Sequence, residues 1–378
     1  MKLSCLQDNL SRGLATVGRA VATRTTLPVT QNVLLATENG RLKLSATNLE
    51  IAITTWIGGQ IEEEGAITVP ARLFTELVSS LPAEQVDLTV SQRPLALHVR
   101  CARFEARING TDADEFPPLP TVEQGAVALI APGVLRSAIN QVVFAAATEE
   151  SRPVLTGVKV ELEGSEFVLA AADGFRLAVR KAALEEPIAE RMDIIVPART
   201  LQEVNRLLPE QEEPVEVTIT PAESQVLFRL KDVELVSQLI QGTFPNYAQL
   251  IPQSFQTRTV VGLEAFQRAA RTAAIFARDG SGIVRLQMTP GPAEGGTGKL
   301  LVSSRAEELG ENQGEIDARI EGEEAKIAFN SKYLLDVLSV MERGEVAVET
   351  SSPSSPGVFR PADSGSYTHV VMPMFVQW

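Results

Sequence analysis

Asp112, Asp114 and Glu115 place three carboxylates within four residues. Carboxylates so close can hold a divalent cation or share acid and base duties at a scissile bond, but beside Phe116-Pro117-Pro118 they read more simply as solvated linker charge. Glu62-Glu63-Glu64 before Gly65 reads as a charged turn. The stretch at 289–304 ends in Gly298-Lys299, but a phosphate-binding loop needs Gly at 293 and Ser or Thr at 300. Ala293 and Leu300 stand there, which leaves a hairpin loop. His98 sits between Leu97 and Val99 as a surface strand residue, and His369 lies beside the terminal strand with no Ser or Cys motif near it. Cys5 and Cys101 can make at most one bridge and read as reduced thiols, and two His with two Cys do not make a multi-ligand zinc site. No catalytic residue, metal or cofactor is expected.

The 378 residues are 44% hydrophobic and 22% charged, enough for two or three domains with full cores and too apolar for disorder. The start, MKLSCLQDNL, has Asp8 and Asn9 where a signal peptide needs apolar residues, and runs such as VVFAAA at 142–147 are far short of a membrane span. A soluble, cytoplasmic protein is expected. The net charge of −14 argues, at first sight, against a nucleic-acid partner.

The positioning elements come in three copies. ITVPARLFTELVSSLP at 67–82 returns as IIVPARTLQEVNRLLP at 194–209, then as IAFNSKYLLDVLSVME at 327–342. Each reads as a strand running into a helix, with Pro70 and Pro197 where the strand ends and the first helical turn begins, and apolar stripes Leu73, Leu77, Leu81 with Phe74 and Val78; Leu201, Val204, Leu208; and Leu334, Leu338, Met341. A second helix opens each copy, near 6–22, 132–147 and 263–277, and strand pairs at 42–57, 167–182 and 300–316 also repeat. The expected fold is α+β: three tandem units at 1–122, 127–248 and 256–378, each with two helices on antiparallel sheets of about eight short strands.

Charge is segregated between these elements. Windows 6–24, 71–82, 134–152, 198–209, 263–278 and 331–343 hold 13 basic and 8 acidic residues, a net +5, so the remainder carries −19. Arg is a good helix former, but Glu is equally good and under-used here. Helix residues Arg12, Arg19, Arg136, Arg199, Arg206, Arg268 and Arg271 would make a weakly positive face for a polyanion.

The threefold unit resembles the bacterial DNA polymerase III beta-subunit family, the sliding clamps, over essentially the whole chain. The marks are Arg24 with Thr26-Leu27-Pro28, Val69-Pro70-Ala71-Arg72, Ala172-Asp173-Gly174-Phe175-Arg176-Leu177-Ala178-Val179, Val196-Pro197-Ala198-Arg199, Phe244-Pro245-Asn246-Tyr247, Phe329-Asn330 with Tyr333-Leu334-Leu335-Asp336-Val337-Leu338, and Val370-Val371-Met372-Pro373-Met374. The resemblance implies a head-to-tail homodimer, a six-domain ring with helices around the hole, sheets outside and duplex DNA threaded through. Helices about 10 Å apart support it: twelve leave an opening of about 28 Å, whereas six leave about 9 Å, too small for a duplex roughly 20 Å wide. Acid on the outer wall then repels DNA from the wrong surface, which answers the charge objection.

The resemblance further implies DNA contacts at Arg24, Arg152 and the loop Glu149-Glu150-Ser151, with Arg72, Arg199, Arg12, Arg136 and Arg268 on the helices. It implies a pocket that takes short linear motifs of the polymerase III alpha subunit, the clamp loader, other polymerases and repair proteins. The matching positions are Leu155, Ala172, Gly174, Phe175, Arg176, Leu177, Pro245, Leu250, Val370, Met372, Pro373 and Met374. Gln249, Ala172 and the longer tail Phe375-Val376-Gln377-Trp378 depart from the family's pattern. It implies a dimer seam of Phe104, Arg103 and Arg107 against Ile275 and Phe276, with acids among Glu307, Glu308, Glu311 and Glu315. The alternatives are a clamp homologue diverted to another role, such as an inhibitor-resistance copy, and a hydrolase built on Asp112, Asp114 and Glu115.

Overall fold

The computed structural model describes residues 1–122, 124–149, 151–220, 224–278, 280–292 and 297–378; Glu150 and Ala293, which the sequence reading singled out, lie outside them. The first repeat runs β1 (Lys2–Leu6), α1 (Gln7–Val17), β2 (Asn32–Glu38), β3 (Arg41–Thr47), β4 (Ile51–Gly58), β5 (Gln60–Glu63), β6 (Ala66–Pro70), α2 (Ala71–Ser80), β7 (Gln85–Gln92), β8 (Leu95–Cys101) and β9 (Phe104–Asn109). The second runs β10 (Ala126–Ile130), α3 (Pro132–Val142), β11 (Gly157–Glu163), β12 (Glu166–Ala172), β13 (Arg176–Ala183), β14 (Met192–Pro197), α4 (Ala198–Leu207), β15 (Val215–Ile219), β16 (Gln225–Arg229) and β17 (Val233–Gln238). The third runs β18 (Thr257–Gly262), α5 (Leu263–Arg278), β19 (Ile283–Thr289), β20 (Thr297–Ala306), β21 (Gly310–Gly322), β22 (Ala325–Asn330), α6 (Ser331–Val340), β23 (Glu345–Thr350), β24 (Gly357–Pro361) and β25 (Tyr367–Val371). Among the described residues no helix is long and apolar enough to cross a membrane.

The repeats are equivalent in register. The strand before each second helix ends opposite the start of a neighbour: Asn32 faces Pro70, Gly157 faces Pro197, and Ile283 faces Asn330. Pro70 and Pro197 are the last residues of their strands, at the boundary where α2 and α4 begin. Asn330 replaces the proline and caps α6 instead, its side-chain oxygen accepting from the N–H groups of Lys332 (2.9 Å) and Tyr333 (3.4 Å).

Two compact units emerge from the packing: Met1–Gly133 with Leu184–Ile188 and Arg199–Leu239, and Val134–Ala183 with Ala189–Ala198 and Ile240–Trp378. In the first, one eight-stranded antiparallel sheet has the order β10-β15-β16-β17-β4-β3-β2-β6, so the second repeat joins the first through β17 and β4, from Thr55 opposite Val233 to Ile51 opposite Ser237. In the second unit a twelve-stranded sheet joins the second repeat to the third through β13 and β25, from Arg176 opposite Val371 to Arg180 opposite Tyr367.

Helices lie on these sheets through apolar stripes. Leu10, Leu14 and Val17 of α1 are buried, and a Cβ at Gly13 would stand 2.8 Å from Leu44, so glycine lets α1 sit close against β3. On α2 the buried face is Ala71, Phe74 and Val78; Leu73 of the expected stripe points outward and is 52% exposed. The α4 and α6 stripes are buried as expected. α1 and α3 are shorter than their windows. α1 gives way at Gly18 to a 3-10 turn, leaving Arg24 outside any helix, and α3 stops where Val142 and Val143 bring two β-branched residues together. The first helix of a repeat also grips the second: the Gln7 amide donates to the Val78 carbonyl (2.7 Å), and the Gln267 amide to the Leu338 carbonyl (2.6 Å).

Candidate peptide cleft and nucleic-acid surface

The residues expected to take a peptide gather in the second unit, around the β13–β25 junction. Ala170, Ala172, Leu177, Val179, Val358 and Val370 form one buried apolar cluster, with Tyr247 and Ile251 packed on it. Leu155, Ile195 and Phe244 form a second cluster that shares Tyr247. The Tyr247 hydroxyl donates to Glu161, and burial with that bond raises its pKa. Around this floor Phe175 (61%), Leu250 (50%), Met372 (44%) and Met374 (36%) are exposed, which is unusual for residues of that size. Pro245 is exposed and Pro373 buried.

The turn between β12 and β13 projects Phe175. Asp173 Oδ1 accepts from the N–H groups of Phe175 (2.8 Å) and Arg176 (3.0 Å), and Gly174 adopts φ 94°, which a side chain would strain. A Cβ on Gly174 would also approach Arg152 at 3.2 Å. Arg152, expected on the DNA surface, thus lines a cleft of about 820 Å³ beside Phe175, with Glu149, Lys332 and Tyr333 also on its wall.

Arg176 does something the sequence reading missed. Its Nε donates to Asp173 Oδ2 (3.0 Å), one terminal nitrogen to Asp336 Oδ2 (2.6 Å) and the other to the Phe144 carbonyl (2.6 Å). The guanidinium lies between the rings of Phe144 and Tyr333, 5.2 and 4.5 Å from their centroids. With its side chain only 8% exposed, Arg176 braces β13, the segment after α3 and α6 against one another. The Asp173–Arg176 spacing was a legible sign of the local pair; Asp336, 160 residues away, was not. Behind the brace, His369 lies within β25 rather than beside it, fully buried, stacked on Phe144 and hydrogen-bonded through Nδ1 to the Tyr367 hydroxyl (3.1 Å). Burial, aided by the Arg176 charge, pushes its pKa down to about 3.

All seven arginines expected at DNA are exposed: Arg12, Arg24, Arg72 and Arg199 in the first unit, Arg136, Arg152 and Arg268 in the second. In the first unit Arg12 and Arg19 face Arg206 across a groove of about 360 Å³ between α1 and the end of α4. Glu203 in that region is neutralised by Arg206 (2.6 Å) and Arg19 (3.6 Å). Arg72 pairs outward with Glu76 (2.9 Å) on its own helix. In the second unit the Gln141 amide of α3 donates to the Val340 carbonyl of α6 (3.1 Å).

Two of the open strand edges among the described residues lie where the seam is expected. β9 pairs only with β8, and the Gly310–Ala318 stretch of β21 pairs only with β20. Phe104 on β9 is 57% exposed between the exposed Arg103 and Arg107. Ile275 on α5 is 57% exposed and Phe276 half-buried, so neither is fully buried domain core. Glu307, Glu308, Glu311 and Glu315 are exposed at or near β21.

The other polar candidates have structural occupations. Asp112 Oδ1 accepts from the Asp114 N–H (3.0 Å) to close a 3-10 turn, and His98 meets Ser91 (3.2 Å) on an exposed strand face. Cys5 and Cys101 are free and buried, and burial pushes the Cys5 thiol up to about 12. Among the described residues no three His, Cys, Asp or Glu side chains are grouped to hold a metal ion.

The N-terminal, central and C-terminal domains of the DNA polymerase III beta subunit match residues 1–120, 129–246 and 248–375. The chain is 33% identical to the beta sliding clamp of Bacillus subtilis over 383 residues and to that of Synechococcus elongatus over 380, covering 99% of both chains each time. The crystal structure of the B. subtilis clamp superposes with a TM-score of 0.94 at 32% identity, and that of the Pseudomonas aeruginosa beta subunit with 0.89 at 29%, each covering 100% of both chains.

Proposed function

We infer the working of the molecule from one premise: the chain belongs to the DNA polymerase III beta-subunit family, the bacterial sliding clamps. It is a non-catalytic processivity factor of DNA replication, built from three clamp domains. We take those domains as 1–122, 127–248 and 256–378.

The reading is of a cytoplasmic protein in which two chains close head to tail into a ring around duplex DNA. One observation carries it. The last strand of each outer sheet finds its neighbour in the following repeat: β4 pairs with β17, and β13 with β25. Continued once more, the rule needs a partner for β21, and the strand equivalent to β17 and β25 is β9 in the first repeat, which is open. The helices support the same succession. α1 meets α4 and α3 meets α6, leaving α2 and α5 with exposed Leu73 and Ile275 on their outer flanks. A second copy joins these ends with Phe104, Arg103 and Arg107 facing Ile275, Phe276 and the acids near β21.

A closed ring holds DNA by linkage, so its arginines only need to attract phosphate weakly and without regard to sequence. Arg12, Arg24, Arg72, Arg136, Arg152, Arg199 and Arg268 suit that task, being exposed and spread along the chain. The apolar floor at the β13–β25 junction, with the exposed Phe175, Leu250, Met372 and Met374 around it, forms a cleft that suits short linear motifs of the polymerase III alpha subunit, other polymerases, the clamp loader and repair proteins. Its flexible Met372 and Met374 adapt to related side chains.

The test loads the protein on nicked circular DNA with clamp loader and ATP, then linearises the circle. Loss of bound protein on cutting is expected; retention overturns the ring. Phe104→Asp should halve the solution mass and abolish loading, whereas Met374→Ala should leave the mass unchanged and weaken binding of an alpha-subunit peptide.

A further inference from the structure

The tail after β25 is pinned along its main chain yet leaves its large side chains in water. The Met372 N–H donates to the Phe175 carbonyl (2.8 Å), and the Met374 N–H to the Ala328 carbonyl on β22 (2.7 Å). Arg285 on β19 donates to the Gln377 carbonyl (3.3 Å), with its guanidinium 6.0 Å from the Trp378 ring centroid. Ala328 and Arg285 are cross-strand partners, so the two outer anchors fall on adjoining positions at one end of the twelve-stranded sheet. Between and beyond the anchors Phe375 is 85% exposed and Trp378 49%, while Pro373 is buried. The backbone is ordered by its hydrogen bonds, and two aromatic rings are held outward by it.

We propose that Phe375 and Trp378 form a shelf continuing the peptide cleft, which binds an apolar or aromatic side chain that a docked partner peptide carries beyond its cleft-filling core. The inference rests on the cleft being a peptide site. Continuity with that cleft names the occupant: Met372 is bonded to the turn that presents Phe175, Met374 follows on the rim, and the shelf begins at the next residue. From Met374 to Trp378 an extended chain reaches about 13 Å, so a peptide in the cleft meets the shelf within about four residues of its core. Aromatic rings on a fixed main chain are effective anchors, since little freedom remains to be lost on binding. The Trp378 ring is already turned toward a cation, which leaves its other face and Phe375 for an apolar group.

Two fluorescent peptides from the cognate polymerase III alpha subunit test this: its clamp-binding core alone, and the core extended by about five residues at each end, a length set by the shelf's reach. Both are titrated onto the intact dimer and onto protein ending at Met374. Removing the shelf should weaken the extended peptide about tenfold and leave the core peptide unchanged. If the truncated protein melts early, Phe375→Ser with Trp378→Ser replaces it, because the main-chain anchors remain. Trp56 and Trp378 are the chain's 2 tryptophans, so a Trp56→Phe background isolates the tail's emission. The extended peptide should shift it to shorter wavelength, and the core peptide should not. An unchanged extended-peptide affinity overturns the proposal. So does equal weakening of both peptides, which would mean that the tail only shapes the cleft, and so does tighter binding of both, which would make it a lid. If neither peptide binds the intact protein, the cleft reading itself falls and the shelf with it.

Discussion

The β4–β17 and β13–β25 junctions share one backbone plan and opposite decoration. On the first, the strand faces carry Lys43, Ser45, Thr47, Ala52 and Thr54; the same repeat positions on the second carry Val168, Ala170, Ala172, Leu177 and Val179. The first junction is occupied by its own chain. Val122 from the connecting segment packs with Leu227 and Val236, and Trp56 lies against Arg41 and Lys43 while donating to Glu38 (2.6 Å). What remains is a hollow of about 200 Å³. At the second junction the connecting segment lays Tyr247 and Ile251 on the floor but leaves Leu250 in water. An open apolar surface needs no new fold here: apolar residues replace mostly polar ones, and the connection stops short of filling the space.

The largest effect separating the junctions is expected at Arg176. Arg176→Ala removes the guanidinium from Asp173 Oδ2 and from Asp336 and should lower unfolding stability by about 3 kcal/mol in urea titrations. A loss below about 1 kcal/mol would mean that the brace is slack. Next comes the connecting segment. Val122→Ala should cost about 1–2 kcal/mol by opening a cavity, without touching peptide affinity. Ile251→Ala, being only partly buried, should cost less in stability but weaken an alpha-subunit peptide; the reverse pattern would erase the distinction between filled and open junctions.

Acid should reach the second junction through a histidine that the first lacks, because His369 stands where the first has Leu235. The folded pKa is about 3, below the ordinary 6.5, so the unfolded chain binds a proton that the folded chain refuses. This contribution is complete above about pH 6.5 and falls by at most about 1.4 kcal/mol per pH unit on acidification, so His369→Asn should flatten the stability profile between about pH 6.5 and 4. An unchanged profile would show that the imidazole is not held neutral. The smallest effect is expected at the exposed pair across the first junction. Arg41→Ala, removing a 3.0 Å contact to Asp232, should change the melting free energy by less than about 0.5 kcal/mol.

Repeated text made the fold legible. The Val-Pro-Ala-Arg segments led to α2 and α4, and the spacing of Leu334, Leu338 and Met341 to α6. The helix ends were harder, because Gly18 and the Val142-Val143 pair act through local backbone preference against an otherwise helical apolar pattern. The cleft's membership was legible only through resemblance, since Leu155, Leu177 and Val370 look like any core residues in a string of letters. The brace was beyond reach. Asp336 sits on a helix otherwise read for its apolar stripe, and nothing local joins it to Arg176. Leu73 of the apolar stripe proved exposed, because periodicity does not tell a core contact from an apolar residue left at the surface.

Gln7 and Gln267 have a further electrostatic effect. Carbonyls at the end of a helix leave it with a partial negative charge of about half an electron, and α2 and α6 have no basic side chain in the last turn to offset it. The two amides quench that charge with neutral donors, which salt does not screen away and which attract no anion of their own. On the proposed reading, in which a highly charged polymer glides past the helices, muting their ends in this way is an advantage. Lysines there would have turned the same carbonyl caps into brakes.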